Sequence, residues 1–75
     1  MKNTDEKFFK IVEELPNGET VIELKARVVR PIMGGKIKKT SNESVTIVAS
    51  PGSVFRIGAY IYIWRADVKK LEIQC

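Results

Sequence analysis

The sequence predicts a mainly β domain, with a short N-terminal helix followed by a small five-stranded antiparallel barrel and a single helical turn before the last strand. Three observations predict this fold. Apolar residues recur with helical spacing over residues 3–15, and they alternate with polar residues from residue 19 onward. The connections between the predicted strands are short, which favours an antiparallel meander. The chain has 75 residues, so residues 1–75 form one domain.

The helix prediction depends on an apolar stripe and on the signals at its two ends. The stripe has the spacing i, i+3, i+4 and i+7 and consists of Phe8, Ile11, Val12 and Leu15. Asn3 can cap the first turn, with Glu6 as the reciprocal partner three residues later. Pro16-Asn17-Gly18 ends the helix and turns the chain. We expect the stripe to cover one open end of the barrel.

The barrel strands are predicted from alternation and β-branched content. They cover residues 19–29, 36–39, 45–50, 54–64 and 68–74. Pro31 predicts an edge position or a bulge, and Gly34-Gly35 predicts a bend. Residues 40–44 predict a polar turn, and Pro51-Gly52-Ser53 predicts a hairpin turn. Gly58 predicts a sharp bend within the fourth strand, and residues 65–67 predict one helical turn.

The charge of the chain is divided unevenly along its length. The formal net charge is +4. Residues 1–24 contain three lysines and six acidic residues, a net −3, whereas residues 25–75 carry a net +7. A basic body favours an anionic partner, and nucleic acid is the commonest one. The alternative is that the charge only keeps a small protein in solution.

The residue inventory argues against catalysis and against bound metals. The sequence has no histidine, and its one cysteine is Cys75, so disulfides, zinc sites and Ser–His or Cys–His pairs are not expected. Gly34-Gly35-Lys36 lacks the upstream glycine and the Ser/Thr of a nucleotide-binding loop. No apolar run approaches the length of a membrane helix. We therefore expect a cytoplasmic protein that is not an enzyme and has no cofactor, metal or membrane partner.

An aromatic series on the fourth strand is the first candidate binding feature. Its members alternate along the strand and therefore share one face; they are Tyr60, Tyr62 and Trp64. If the intervening aliphatic residues face the core, the aromatics form an outer platform on which unpaired bases can stack. The alternative is that the aromatics face the core. Because a bulge at Gly58 would shift the register by one residue, the sequence leaves both orientations open.

A set of cations is the second candidate binding feature. We expect several of them to converge on one barrel surface and to contact phosphates, with affinity that falls steeply as salt rises. They are Lys25, Arg27, Arg30, Lys36, Lys38, Lys39, Arg56 and Arg65. The alternative is a solvated basic face without a ligand.

The C-terminal stretch from Ile63 to Ile73 resembles the end of the small barrels of the SH3-like and Sm-like (Hfq-like) group. In those barrels a strand, one helical turn and a final strand follow one another. An N-terminal helix before the first strand is similar to the Sm-like arrangement. The resemblance implies RNA binding and ring formation by strand pairing between subunits. No family binding residue is carried over, because the Tyr-Lys-His signature of the Hfq-like members has no counterpart here.

Together these features predict a non-catalytic module that binds single-stranded RNA or DNA, with RNA favoured over DNA, through a basic and aromatic barrel surface. The alternative is a protein-interaction or assembly module. Such a module would form a homo-oligomeric ring or would inhibit a partner protein by strand pairing.

Overall fold

A computed structural model describes residues 9–74, which form one antiparallel six-stranded sheet. The fold is mainly β, and the sheet curls into a half-barrel. The strands are β1 (Phe9–Glu14), β2 (Thr20–Leu24), β3 (Val29–Thr40), β4 (Val45–Ile57), β5 (Tyr60–Arg65) and β6 (Lys70–Ile73).

Strand β4 organises the sheet because it has different neighbours along its length. On one side it pairs with β3 over nearly its whole length. On the other side its first half pairs with β2 and its second half pairs with β5. The β3–β4 hairpin is therefore shared by two halves, one completed by β2 and β1 and the other by β5 and β6.

The predicted closed cylinder does not form within the described residues. The strand order ends at β1 on one side and at β6 on the other, and no main-chain ladder joins these two strands between residues 9 and 74. Side chains bridge the seam instead. The rings of Phe9 and Trp64 meet edge-to-face with centroids 6.1 Å apart, and the Lys69 ammonium lies 2.7 Å from the Glu14 carboxylate. The sheet is thus a half-barrel with two free edges near each other.

The bend of β4 comes from four residues inserted opposite one. Ala49 pairs with Gly35 and Val54 pairs with Met33, so residues 50–53 stand opposite Gly34 alone. The buried hydroxyl of Ser53 holds this bend. It donates to the carbonyl oxygen of Gly34 at 2.7 Å and accepts from the backbone N–H of Ser50 at 2.8 Å.

Replacing Ser53 with alanine should therefore destabilise the bend. The substitution Ser53→Ala leaves one backbone N–H and one carbonyl oxygen of a part-buried bend without their partner, which costs about 1 kcal/mol. Urea unfolding of both proteins, followed by far-ultraviolet circular dichroism, measures the loss. Ser41→Ala in the exposed 41–44 turn is the matched control, and equal stability of Ser53→Ala and wild type would contradict this account of the bend.

The core lies on the concave side of the curled sheet, where the inward rows of both halves meet. Residues directly opposite each other on paired strands share a face, and the inward row of the first half runs through Ile11, Ile22, Ile47 and Ile37. The largest side chains that are completely buried are Trp64 and Phe55 of the second half. This apolar cluster is what makes a domain of this size stable.

The predicted helix is wrong where the structure can test it. Residues 9–14 form strand β1, and residues 3–8 of the predicted helix lie outside the described residues. Phe9 and Ile11 face the core, as alternation requires, and a bulge between Ile11 and Glu13 leaves Val12 53% exposed beside them. Ile11 and Val12 are thus apolar residues in succession, and together with Leu15 they have the spacing of a helical stripe.

The structure reverses the roles predicted for Pro51-Gly52-Ser53, a hairpin turn, and for Gly58, a bend within a strand. Pro51-Gly52-Ser53 is not a hairpin turn, because β4 continues through it to Ile57. Gly58-Ala59 is not a bend within a strand but the two-residue hairpin turn between β4 and β5. Gly58 has a φ of +64°, which is the first position of a type II′ turn, and this turn suits a right-twisted hairpin.

The predicted helical turn at residues 65–67 is also a hairpin loop. Residues 66–69 connect β5 to β6, and the N–H of Val68 bonds to the carbonyl oxygen of Arg65 at 3.3 Å. Lys69 closes the loop with a φ of +54°. The pairing of Arg65 with Lys70 fixes both ends of the loop, so residues 66–69 form a hairpin connection and not a helical turn.

The first predicted barrel strand is too long, and the predicted meander is wrong. Strand β2 ends at Leu24, and residues 25–28 form a connection to β3. Strand β4 then inserts between β2 and β3. Other predictions are confirmed: Pro31 lies on the edge strand beside a bulge, the backbone bends at Gly34, and residues 16–18 and 41–44 are turns.

Candidate nucleic-acid interface

The register of β5 decides where the aromatic series points. Because Phe55 pairs with Tyr62 and Ile57 with Tyr60, the aromatic residues share the face of the core. Trp64 is only 1% exposed, Tyr62 is half-buried, and Tyr60 is 59% exposed where the strand leaves the core. The prediction of an outer aromatic platform is therefore wrong for Trp64, and the aliphatic residues of β5 lie on the outer face.

The indole N–H of Trp64 is a buried donor. Within residues 9–74 it has no hydrogen-bond acceptor, although a buried tryptophan N–H ordinarily finds one. Its surroundings are apolar, and the Phe9 ring lies beside it. This tryptophan contributes packing to the domain rather than a contact surface for bases.

The charges of the described residues are separated by strand. Strands β3 and β4 contain no carboxylate, whereas β1, β2 and the turn between them hold four of the seven acidic residues of the described chain. Five cations lie on the β3–β4 hairpin, and within residues 9–74 none of them forms an ion pair. They are Arg30, Lys36, Lys38, Lys39 and Arg56.

Three of these cations are lysines at the end of β3 that belongs to the first half. Lys36 pairs with Val48 and Lys39 pairs with Thr46, on the outer face, while Lys38 occupies a bulge between Ile37 and Lys39. Strand β3 is an edge strand, and lysines, prolines and bulges are the features by which edge strands avoid pairing with other chains. The three lysines therefore suit edge protection as well as anion binding.

The other two cations, Arg30 and Arg56, lie directly opposite each other on paired strands. Both side chains are exposed on the outer face of the second half, since Phe55 and Ile57 point to the core. Like charges in directly opposite positions destabilise a sheet by a modest amount. An anion bound between them would remove that repulsion.

Arg65 is already occupied by two carboxylates. Its guanidinium lies 2.9 Å from the Asp67 carboxylate and 3.1 Å from that of Glu72. The hydrogen bond from Arg65 holds the pKa of Asp67 below its ordinary value, and the same bond raises the pKa of Arg65. Arg65 is therefore the weakest member of the predicted site, because a phosphate would compete with two carboxylates for it.

Lys25 and Arg27 are exposed but do not lie on a strand. They belong to the connection at residues 25–28, where the carbonyl oxygen of Val28 accepts from the N–H of Gly58 at 2.9 Å. This bond places the connection beside the β4–β5 turn. The structure therefore brings these two cations to one end of the half-barrel and does not align them with Arg30 along a strand.

The structure also shows an apolar surface on the outer face of the second half, an orientation that the sequence left open for Ile61 and Ile63. Ile61 is the cross-strand partner of Arg56, and Met33, Val54 and Ile63 form the next row on the same outer face. Met33 is 62% exposed and Ile61 is 40% exposed. In the sequence, the alternation of Ile61 and Ile63 indicated that these two side chains share a face of β5. Which face of the sheet they occupy depended on the register of β5 after Gly58.

Comparison with known proteins places the chain in no family: no family model, no curated protein and no solved structure matches it. Within residues 9–74 no helix is long and apolar enough to cross a membrane. In the same residues no group of three or more acidic or cysteine side chains is arranged to hold a metal ion.

Proposed function

We propose that this chain is a non-catalytic module that binds single-stranded RNA or DNA along the basic β3–β4 hairpin. The observation that carries the proposal is the hairpin itself, whose two strands hold five cations without ion pairs and no carboxylate, the one acidic residue of the hairpin being Glu43 in its turn. A phosphate chain that lies along these two strands meets attraction at every charged side chain on them, because the acidic residues lie on other elements and, at Glu43, in the turn. The residue inventory supplies no nucleophile with a histidine base, which supports binding without catalysis.

Phosphates supply most of the affinity in this proposal. With Trp64 in the core, base stacking is left to Tyr60 and the edge of Tyr62, so contacts with the backbone of the ligand dominate. Such binding tolerates any base sequence and weakens steeply with salt. A single strand also suits the bend at Gly34, because a flexible chain follows a curved row of cations more easily than a stiff duplex does.

Removing the three lysines of β3 should lower both the affinity and its salt dependence. For single strands each neutralised phosphate contributes roughly 0.7 to the slope of log K against log salt. The variant Lys36→Gln/Lys38→Gln/Lys39→Gln should therefore lose up to about 2 units of slope and bind at least tenfold more weakly at low salt. Fluorescence anisotropy of a labelled 20-nucleotide oligo(U) across a salt series measures both quantities.

Lys70→Gln is the matched control, because Lys70 is an exposed cation on β6, outside the hairpin. It should leave the slope nearly unchanged. No binding of oligo(U) by wild-type protein at low salt, or equal slopes for the triple variant and the control, would refute the proposed site.

The fold itself is the weaker support for this proposal. We infer a variant of the SH3-like and Sm-like small barrels from the curled antiparallel sheet and its long bent strand β4. The open seam and the position of β4 between β2 and β3 depart from a closed meander. A cytoplasmic location accompanies the proposal, since RNA would be met there.

The second candidate function is a protein-interaction or assembly module. A separate observation favours it, namely the exposed side chains of Met33 and Ile61 beside Arg30 and Arg56 on the outer face of the second half. Exposed apolar side chains rimmed by arginines are typical of protein–protein contacts.

A further inference from the structure

The outer face of the second half has the composition of an interface. We call it the arginine face and define it by Arg30, Arg56, Met33, Ile61 and Ile63. Its two arginines have no ion-pair partner within residues 9–74, and its aliphatic side chains lie in the next cross-strand positions. Arginine and methionine are enriched where proteins meet, and arginine often contributes much of the binding energy.

The outer face of the first half differs. Its cross-strand row runs from Lys10 through Glu23 and Thr46 to Lys39, so opposite charges alternate. The valines of the next row, Val21 and Val48, are buried. The first half therefore presents no arginine–apolar surface of this kind on its outer side.

The edge of the first half holds a second surface with the opposite charge. We call it the β1 patch and define it by Val12, Glu13, Leu15 and Glu19. Val12 is 53% exposed at the bulge, and Glu13 is exposed with no ion pair within residues 9–74. The N–H of Leu15 bonds to the carbonyl oxygen of Glu19 at 2.8 Å, which keeps the two ends of the turn together.

We propose that the arginine face docks the β1 patch of a second copy of this chain. Glu13 and Glu19 would meet Arg30 and Arg56, and the aliphatic side chains of the two surfaces would pack between the charges. Electrostatic complementarity of this kind selects the partner and its orientation. Contact between two arginine faces is disfavoured, because it would bring the four arginines of two copies together.

This contact is head-to-tail, since the two surfaces lie on different halves of one sheet. A head-to-tail contact uses a different surface on each copy, so it repeats until it closes into a ring or continues as a chain. Each surface offers only a few exposed side chains, which places the interface at the small end of the usual range. The assembled mass should therefore rise with protein concentration and fall with salt.

A charge-swap experiment tests the proposal directly. One variant carries Arg30→Glu/Arg56→Glu and the other carries Glu13→Arg/Glu19→Arg. Alone, each variant places like charges on its two surfaces and should remain monomeric in sedimentation velocity at concentrations where wild type assembles. Mixed in equal amounts, each variant offers what the other lacks, and the mixture should regain the wild-type mass.

The apolar half of the contact has its own variant and control. Met33→Ser/Ile61→Ser should abolish assembly, whereas Val68→Ser, at an equally exposed valine in the β5–β6 loop, should not. Circular dichroism of every variant checks that the sheet is intact. A monomeric wild type at all concentrations, or a mixture that stays monomeric, would overturn the proposal.

The assembly proposal goes beyond nucleic-acid binding and can fail separately from it. The variant Lys36→Gln/Lys38→Gln/Lys39→Gln keeps both docking surfaces and should still assemble, in samples whose ultraviolet absorbance shows no nucleic acid. Assembly that needs added oligo(U) would contradict the direct contact between copies. If this variant loses oligo(U) binding but assembles as wild type does, the proposed contact between copies is supported independently of nucleic-acid binding.

Discussion

Replacing Trp64 with alanine should remove a large part of the free energy of unfolding in water at 25 °C. Trp64 is completely buried and packs against Leu71 and Phe9. Its truncation removes the largest buried side chain and leaves a cavity, at a cost of about 4 kcal/mol. Domains of this length are stable by only about 4–11 kcal/mol. Urea unfolding followed by far-ultraviolet circular dichroism measures the loss, because the variant has no tryptophan fluorescence.

Trp64→Phe separates packing from the buried N–H. Phenylalanine keeps most of the apolar contacts and removes a donor that has no acceptor within residues 9–74. An unsatisfied buried donor costs about 1–3 kcal/mol. Its removal should therefore offset part of the destabilisation caused by the small cavity that Trp64→Phe creates. Trp64→Phe should therefore retain much more stability than Trp64→Ala. Equal losses for both variants would show that the indole N–H is satisfied in solution.

Placing a methyl group at Gly35 should be nearly as damaging, although the change is small. A Cβ atom there would overlap Cζ of the Phe55 ring and lie 2.8 Å from Cε1. The Phe55 ring is itself completely buried, so it has no free space into which to move. We expect Gly35→Ala to cost about 3 kcal/mol, the upper part of the range for overpacked cores, in the same urea experiment.

A second substitution identifies the clash as the cause. In a Phe55→Leu background the ring is absent, so adding Gly35→Ala should cost far less than it does in wild type. Residues in contact show coupling of this kind, whereas independent sites do not. Additive losses of stability would mean that glycine is required at position 35 for its backbone conformation and not for space. The φ values do not indicate such a requirement, because the described glycines with positive φ are Gly18, Gly34, Gly52 and Gly58.

Local chemistry carried the successful part of the sequence-based prediction. Pro31 cannot donate to a ladder, Gly34 adopts a positive φ, and the serines of residues 41–44 bond to one another across a turn. These features depend only on near neighbours. The helix failed because a bulge at Val12 imitates helical spacing, and the bulge exists only through pairing with β2.

The candidate site was less accessible to prediction because it depends on distant pairing. The cations were visible in the sequence, but the separation of charge by strand follows from the insertion of β4 between β2 and β3. The face of Trp64 followed from the two-residue turn at Gly58, since a shift of one residue reverses every side chain of a strand. The pairing of Arg65 with Glu72 likewise required the β5–β6 register.

The sharing of β4 by both halves of the sheet has a thermodynamic consequence. At Ile47, β4 pairs with Ile22 on one side and with Ile37 on the other, and farther along the same strand Phe55 pairs with Tyr62 and Pro31. Withdrawing the whole of β4 would therefore remove a ladder partner from both halves at once. We expect the two halves to melt together, in one transition between folded and unfolded populations.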